Sequence, residues 1–231
     1  KLIVPTNNFE SYYLENIRKN LENKYNCILL GAPKKILRKT NDKKLLYYFL
    51  KKHGFLTPKL FNKNTSDYFL YENLPLILKE RCGQASRNIK IIKSKQQIKK
   101  LNFQSKYILQ KFIQGEEYGL DIINNFKRKF VNCLYRKKIL MKNGETIKAK
   151  ILPNKKIINF AKKLSKKINH IGIADVDLIV YKKNIYIIDI NCRFGGGYKL
   201  SHIAGANIPG YILNCLYNSG KNSKSFFRIK H

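Results

Sequence analysis

Three polar residues spaced by two, Asp189, Asn191 and Arg193, close a run of β-branched and aromatic residues (Ile185, Tyr186, Ile187, Ile188, Ile190), and three glycines follow at 195–197. A run of that composition reads as a strand with one buried face. Alternation along a strand sends all three polar side chains to the same face. Two oxygen donors suit a hard cation, and a guanidinium beside them suits the phosphates that such a cation bridges. Asp, Asn and Gly also mark ordinary strand ends. The arginine and the glycine run tip the reading toward chemistry.

The elements that must hold these residues can be followed along the chain. Residues 2–5 and 27–30 read as short strands, and residues 11–21 as one helix from the spacing of Tyr12, Leu14, Ile17 and Leu21. Residues 40–43 cap a helix through Leu45, Leu46, Phe49 and Leu50, ended by Gly54 ahead of Pro58. Strands are expected at 74–79, 89–92, 107–112, 117–123 and 129–135, with a helix at 95–101. Residues 157–168 form an amphipathic helix with Ile157, Phe160, Ala161, Leu164 and Ile168 on one face. Residues 175–181 and 184–190 form a hairpin turning at 182–184. Residues 200–216 are partly helical, and 218–224 are a polar tail. There is no internal repeat and no regular βαβ alternation after residue 74, so the fold class is α+β.

Composition narrows the class further. With 231 residues and 44% hydrophobic content the chain can bury a substantial core. No apolar run approaches a membrane span, and the start is too soon polar for a signal peptide. Five scattered cysteines without a C-x-x-C pair and four dispersed histidines predict free thiols in the cytoplasm and no zinc site. The formal charge of +33 would attract nucleic acid. The excess is mostly lysine spread along the whole chain, however, and a dedicated RNA binder clusters arginine among aromatics.

Four segments in order, reaching from Pro5 to Pro209, resemble the ATP-grasp superfamily, in its carbamoyl-phosphate-synthetase-like and carboxylate–amine ligase branch. The resemblance implies two α+β subdomains gripping ATP, preceded by the remnant of an α/β pre-ATP-grasp domain. It divides the chain into 1–38 for that remnant and 39–231 for the ATP-grasp domain, with a lid-like part at 74–113 and a metal-binding part at 114–217. Lys43 matches the lysine of the family's Asp-Lys helix, which reaches the nucleotide phosphates; the helix start favours the anion too. Lys79 matches the strand lysine over the α- and β-phosphates, and residues 83–88, with Ser86 and Arg87, match the loop over the γ-phosphate. Glu80 stands where the family has proline, and Asn88 where it often has glycine.

Gln110, Lys111, Phe112 and Ile113 fall at the adenine positions and Glu117 at the ribose position, with Gln110 replacing the usual Glu as an amide acceptor. Asp177, Asp189 and Asn191 match the magnesium ligands, with Asp189 in place of the commoner Glu, and Asp175 points the same way by strand period. Arg193 matches the arginine on the triphosphate or acyl-phosphate, so Arg193 and Lys79 are the implied catalytic cations. Arg136, Lys138 and Glu145 resemble the groups that frame the substrate. The implied activity is an ATP-dependent ligase using Mg²⁺ (Mn²⁺ is an alternative) to activate a carboxylate as an acyl-phosphate and join it to an amine. Small-molecule acid and amine are then the partners, with no membrane, nucleic acid disfavoured and a homodimer allowed for. The alternatives are a carbamoyl-phosphate-synthetase-like enzyme, a catalytically degenerate ATP-binding protein, and a basic nucleic-acid binder.

Overall fold

The computed structural model describes residues 1–62, 64–83, 89–101, 104–142, 144–153, 155, 157–218 and 223–227. Its first unit is a parallel strand pair, β1 (Leu2–Ile3) and β2 (Ile28–Leu29). Between them run two helices, α1 (Asn8–Asn16) and α2 (Arg18–Tyr25), where the apolar spacing predicted a single helix over 11–21. Ile17 departs from helical geometry, at φ −107° and ψ 11°. The break lets the Arg18 guanidinium hold Glu15 at 2.5 Å, Glu22 at 2.9 Å and the Leu29 carbonyl at 2.9 Å, tying α2 to β2. Helices α3 (Lys34–Thr40) and α4 (Lys43–Lys52) follow. Asp42 caps α4 as expected, accepting from the Lys44 and Leu45 amides at 2.9 and 3.2 Å.

Two antiparallel sheets carry the rest. The smaller, in the order β3-β6-β4-β5, comprises β3 (Leu60–Phe61), β4 (Leu76–Glu80), β5 (Lys90–Ile92) and β6 (Tyr107–Lys111). Helices α5 (Asp67–Glu72) and α6 (Lys95–Lys99) cover one of its faces, over a core of Leu70, Leu76, Leu78, Ile92, Ile98 and Leu109. The other face carries Ile77 and Lys79 opposite Gln110 and Ile108.

The larger sheet runs β11-β10-β7-β8-β9, from β7 (Glu116–Asn124), β8 (Phe130–Lys142), β9 (Glu145–Leu152), β10 (Gly172–Tyr181) and β11 (Asn184–Asn191). Helix α7 (Ile158–Ile168) joins α3 and α4 on one face, and the main core lies between: Leu37, Leu46, Leu50, Leu120, Leu164 and Val176 among others. Helices α8 (Tyr198–Ile203) and α9 (Ile208–Asn218) close the far end of the other face around Ile123, Leu134, Ile173 and Tyr211. A short 3-10 turn, Ser223–Phe226, overlaps the end of the expected polar tail.

Strand β8 runs seven residues past the expected end, and β9 was not expected at all. Residues 138–150 mix lysine with exposed Ile139, Leu140 and Ile147, which blurs the period-2 signal. The β10–β11 hairpin forms as expected; Lys182 and Lys183 take φ of 46° and 67°, the positive-φ pair that a two-residue turn requires.

Candidate functional site

Period-2 alternation builds the site. On the face of the larger sheet turned from the main core, β7 places Glu117, Gly119 and Asp121, β8 places Arg136 and Lys138, and β10 places Asp175 and Asp177. On β11 strict alternation would put Ile187 beside Asp189. Instead Asp177 pairs with Asp189 while Leu178 pairs with Ile187, so Ile188 is an extra, bulged residue. The bulge resets the phase: Ile187 goes to the core, and Asp189 and Asn191 go to the cleft. The expected shared face therefore holds for Asp189 and Asn191. Arg193 lies beyond the strand end.

Arg136, Lys138, Asp175, Asp177, Asp189 and Asn191 line a cleft of about 290 Å³ together with Lys43 from α4, Lys79 from β4, Arg193, Gly196 and Gly197. The smaller sheet thus contributes a buried cation and the larger sheet contributes carboxylates. Burial pulls the Lys79 ammonium down to about 8, with Lys43 adding repulsion and Asp189 and Asp177 opposing it. Its place deep in the cleft pushes the Asp189 carboxyl up, aided by Asp177 and opposed by Lys43 and Lys79. Lys138 Nζ lies 2.6 Å from Asp177 Oδ1 and 3.7 Å from Glu117 Oε2. Lys43 Nζ donates to the Gly83 carbonyl at 2.6 Å, at the root of the expected phosphate loop. Ser86, Arg87 and Asn88 lie outside the described residues.

Several contacts had no signal in the sequence. Asn8 of α1 donates to Asn191 Oδ1 at 2.8 Å and accepts from Arg193 Nε at 3.0 Å, joining chain segments 183 positions or more apart. Arg136 is 2% exposed. Its Nη1 donates to Asp121 Oδ2 and, at 3.0 Å, to Ser201 Oγ, and its Nη2 donates to Asp175 Oδ1 at 2.9 Å. Burial alone would lower its pKa; Asp121 and Asp175 outweigh that and hold it above the ordinary value. Burial and Asp177 push the Asp175 carboxyl up, against Arg136. The glycine run follows from this cluster. A Cβ on Gly195 would sit 2.2 Å from the Asp175 carboxylate, and one on Gly197 would sit 2.9 Å from Arg136 Nε. At these two positions glycine makes room for a buried ion pair.

The expected nucleotide-base positions divide. Gln110 shares the face of Lys79; its Nε2 donates to the Pro58 carbonyl at 3.2 Å, and its buried Oε1 has no partner. Such an orphaned acceptor suits an exocyclic amine such as that of adenine. Lys111 turns the other way, its Nζ held at 2.9 Å by the carbonyls of Asn73 and Leu74, and the amides of Lys111 and Phe112 already donate to Lys59 and Pro75. Phe112 and Ile113 are partly buried, and Glu117 is largely exposed at the edge of the cleft.

Among the described residues no three His, Cys, Asp or Glu side chains stand together as a metal centre. Asp177 and Asp189 face each other across the strand pair, with the Asn191 amide oxygen as a third donor. An all-oxygen set of two carboxylates and one amide fits a hard divalent cation that keeps part of its water.

Comparison with known proteins gives a consistent result. The ATP-grasp domain family matches residues 40–197. The carbamoyl-phosphate synthase of Methanobrevibacter smithii is 24% identical over 213 residues, which cover 86% of this chain and 58% of that protein. The fold resembles a biotin carboxylase–β,γ-ATP complex from Campylobacter jejuni, with TM-score 0.75 and 17% identity over 99% of this chain and 56% of that one. It also resembles the biotin carboxylase domain dimer of Hydrogenobacter thermophilus 2-oxoglutarate carboxylase in complex with MgADP, ADP and bicarbonate, with TM-score 0.71 and 16% identity over 92% and 52% of the two chains. D-alanine–D-alanine ligase from Bacillus anthracis matches at TM-score 0.62 and 18% identity, over 90% of this chain and 76% of that one. The chain spans little more than half the length of the synthase and of the two carboxylases.

Proposed function

We propose, on the premise that this chain belongs to the ATP-grasp family, that it is an ATP-dependent ligase, activating a carboxylate with ATP and joining it to an amine. One observation carries the reading: the buried Lys79 of one sheet faces Asp177, Asp189 and Asn191 of the other across a single cleft. A substrate carboxylate oxygen forms a bond to the γ-phosphorus as the bond to ADP breaks. The amine then bonds to the acyl carbon, and phosphate leaves with its oxygen while the amine loses a proton.

Such chemistry needs positioning and charge dispersal more than a protein nucleophile. Lys79 and Lys43 hold the anionic phosphate chain, and Arg193, pinned by Asn8, presents its guanidinium where charge moves to the leaving oxygen. Lys138 keeps Asp177 oriented, and Gln110 Oε1 accepts from the adenine amino group. Mg²⁺ held by Asp177, Asp189 and Asn191 would supply Lewis-acid neutralisation of phosphate oxygens. Residues 1–38 are then the tail of a preceding domain, the smaller sheet is the lid, and the larger sheet holds the metal. The nearest alternative is carbamoyl-phosphate-synthase-like phosphorylation of bicarbonate, in line with the M. smithii relative. A homodimer has a parallel in the H. thermophilus carboxylase domain, which is a dimer.

Thermal unfolding with Mg-ATP at about one hundred times Kd should show about 2.7 kcal/mol of added stability, or roughly 5–10 °C for a chain of this size. The shift should vanish with EDTA and in Asp189→Ala. An equal shift in that variant would remove Asp189 from the site.

A further inference from the structure

Asp189, Asp177, Gly119 and Arg136 stand in one row across the larger sheet, from β11 through β10 and β7 to β8. Gly119 brings no side chain to that row, and the Arg136 guanidinium lies over it, 2.9 Å from where a Cβ would stand. Long side chains of β8 can therefore cross β7 to reach the acids of β10. Lys138, two residues beyond Arg136 and so on the same face, does this as well. Its Nζ lies 2.6 Å from Asp177 Oδ1 and 3.7 Å from Glu117 Oε2, and its side chain is only 9% exposed. A buried ammonium thus rests between two carboxylates, bonded to one of them.

Few donors are left for a metal ion. Lys138 takes Asp177 Oδ1, Asp189 Oδ1 accepts the Ile190 amide at 3.1 Å, and Asn191 Oδ1 accepts from Asn8 Nδ2 at 2.8 Å. Asp177 Oδ2, Asp189 Oδ2 and the second lone pair of the Asn191 oxygen are the donors left on these three side chains. Three points, completed by nucleotide oxygens and water, make the shell of one ion. A second ion about 3.5–4 Å away needs further oxygen ligands of its own. Glu80, Glu145 and Asp175 also line the cleft. Among the described residues none of them joins Asp177 and Asp189 in a group of three that could hold an ion. Asp175 is held by Arg136 Nη2 at 2.9 Å. Lys43, Lys79 and Arg193 already bring positive charge to the same space.

We infer that the cleft takes one divalent cation with its nucleotide, and that the Lys138 ammonium holds the place beside Asp177 that a second cation would need. The inference rests on the ligase reading, which supplies the nucleotide and the ion. A tethered ammonium brings its charge without drawing on the free cation, so nucleotide binding follows a single metal equilibrium.

Electron paramagnetic resonance of Mn²⁺ counts the ions. The full chain is held in excess over the β,γ-methylene analogue of ATP, so that the nucleotide is bound, and Mn²⁺ is added in steps. The increment over the nucleotide-free protein is the count. The wild type is expected to hold one Mn²⁺ per analogue, with the spectrum of an isolated ion. Lys138→Met keeps most of the stem and removes the charge; it should hold two, magnetically coupled. Lys138→Arg restores the charge and should return the count to one. Two Mn²⁺ per analogue in the wild type overturn the inference while the ligase reading stands, and that count needs no variant. A count of one in Lys138→Met, with its circular dichroism unchanged, overturns the part given to Lys138. No Mn²⁺ held with the nucleotide by the folded wild type overturns the ligase reading itself.

Discussion

Asp175, Arg136 and Asp121 form a buried chain of charge at the floor of the cleft, and two of its polar atoms, Asp121 Oδ1 and Arg136 Nε, lack partners among the described residues. A pair this deep recovers its desolvation cost only through geometry, so removing one member leaves stranded charge. His170 is the complementary case, a fully buried titratable group kept neutral. Its Nε2 donates to the Ile122 carbonyl at 3.0 Å, its Nδ1 accepts from Asn124 Nδ2 at 3.4 Å, and burial pulls its pKa down to about 4. Because the folded pKa lies below the unfolded one, near 6.5, its contribution is full above pH 6.5 and is lost as pH falls toward 4. His170→Gln cannot titrate, so the stability difference between wild type and variant should shrink by about 3 kcal/mol across that window. Urea midpoints at pH 7 and pH 4.5 measure it, and a constant difference would show that His170 is not held neutral.

Asp189 and Asn191 were legible from residue type and spacing, and Asp177 from the family resemblance; the fold brings all three to one cleft. Asn8 and Ser201 were not, since each meets the site only through contacts that no local pattern encodes. The glycine run at 195–197 was read as a sign of chemistry, and what no local pattern showed is that Gly195 and Gly197 leave room for Asp175 and Arg136.

At the scale of elements, strands with an alternating sequence pattern, β7 and β10 among them, were readable, while β9 was hidden by its exposed Ile147 beside Lys148 and Lys150. The helix break at Ile17 was also hidden, because apolar spacing continues through it. The feature that sets the phase of the site is the bulge at Ile188. Deleting Ile188 removes the extra residue while Ile187 stays opposite Leu178 and Asp189 opposite Asp177, so the ladder becomes regular and both side chains keep their faces. Such a variant should keep its Mg-ATP stabilisation in thermal unfolding. Loss of that stabilisation with an unchanged far-UV circular dichroism strand signal would show that the bulge itself shapes the cleft.

For the molecule as a whole, 47 lysines and arginines stand against 14 acids, and the cleft itself uses several of those acids. The remaining positive charge repels itself across the surface, where salt reaches it. Raising ionic strength from about 0.01 M to about 0.15 M shortens the screening length from roughly 30 to 8 Å, so the unfolding temperature should rise by a few degrees. A fall would mean that attractive surface pairs dominate. Among the described residues no helix is long and apolar enough to cross a membrane.

The bridge from Asn8 to Asn191 and Arg193 has a temporal meaning. A chain emerging from the ribosome presents Asn8 long before the strand it must clamp. Asn8 therefore waits without these partners until β11 and Arg193 have been made. Contacts of such sequence separation carry the largest loop-closure cost. An incomplete chain accordingly lacks this bridge, and the end of β11 is tied to α1 only once nearly every strand of both sheets exists.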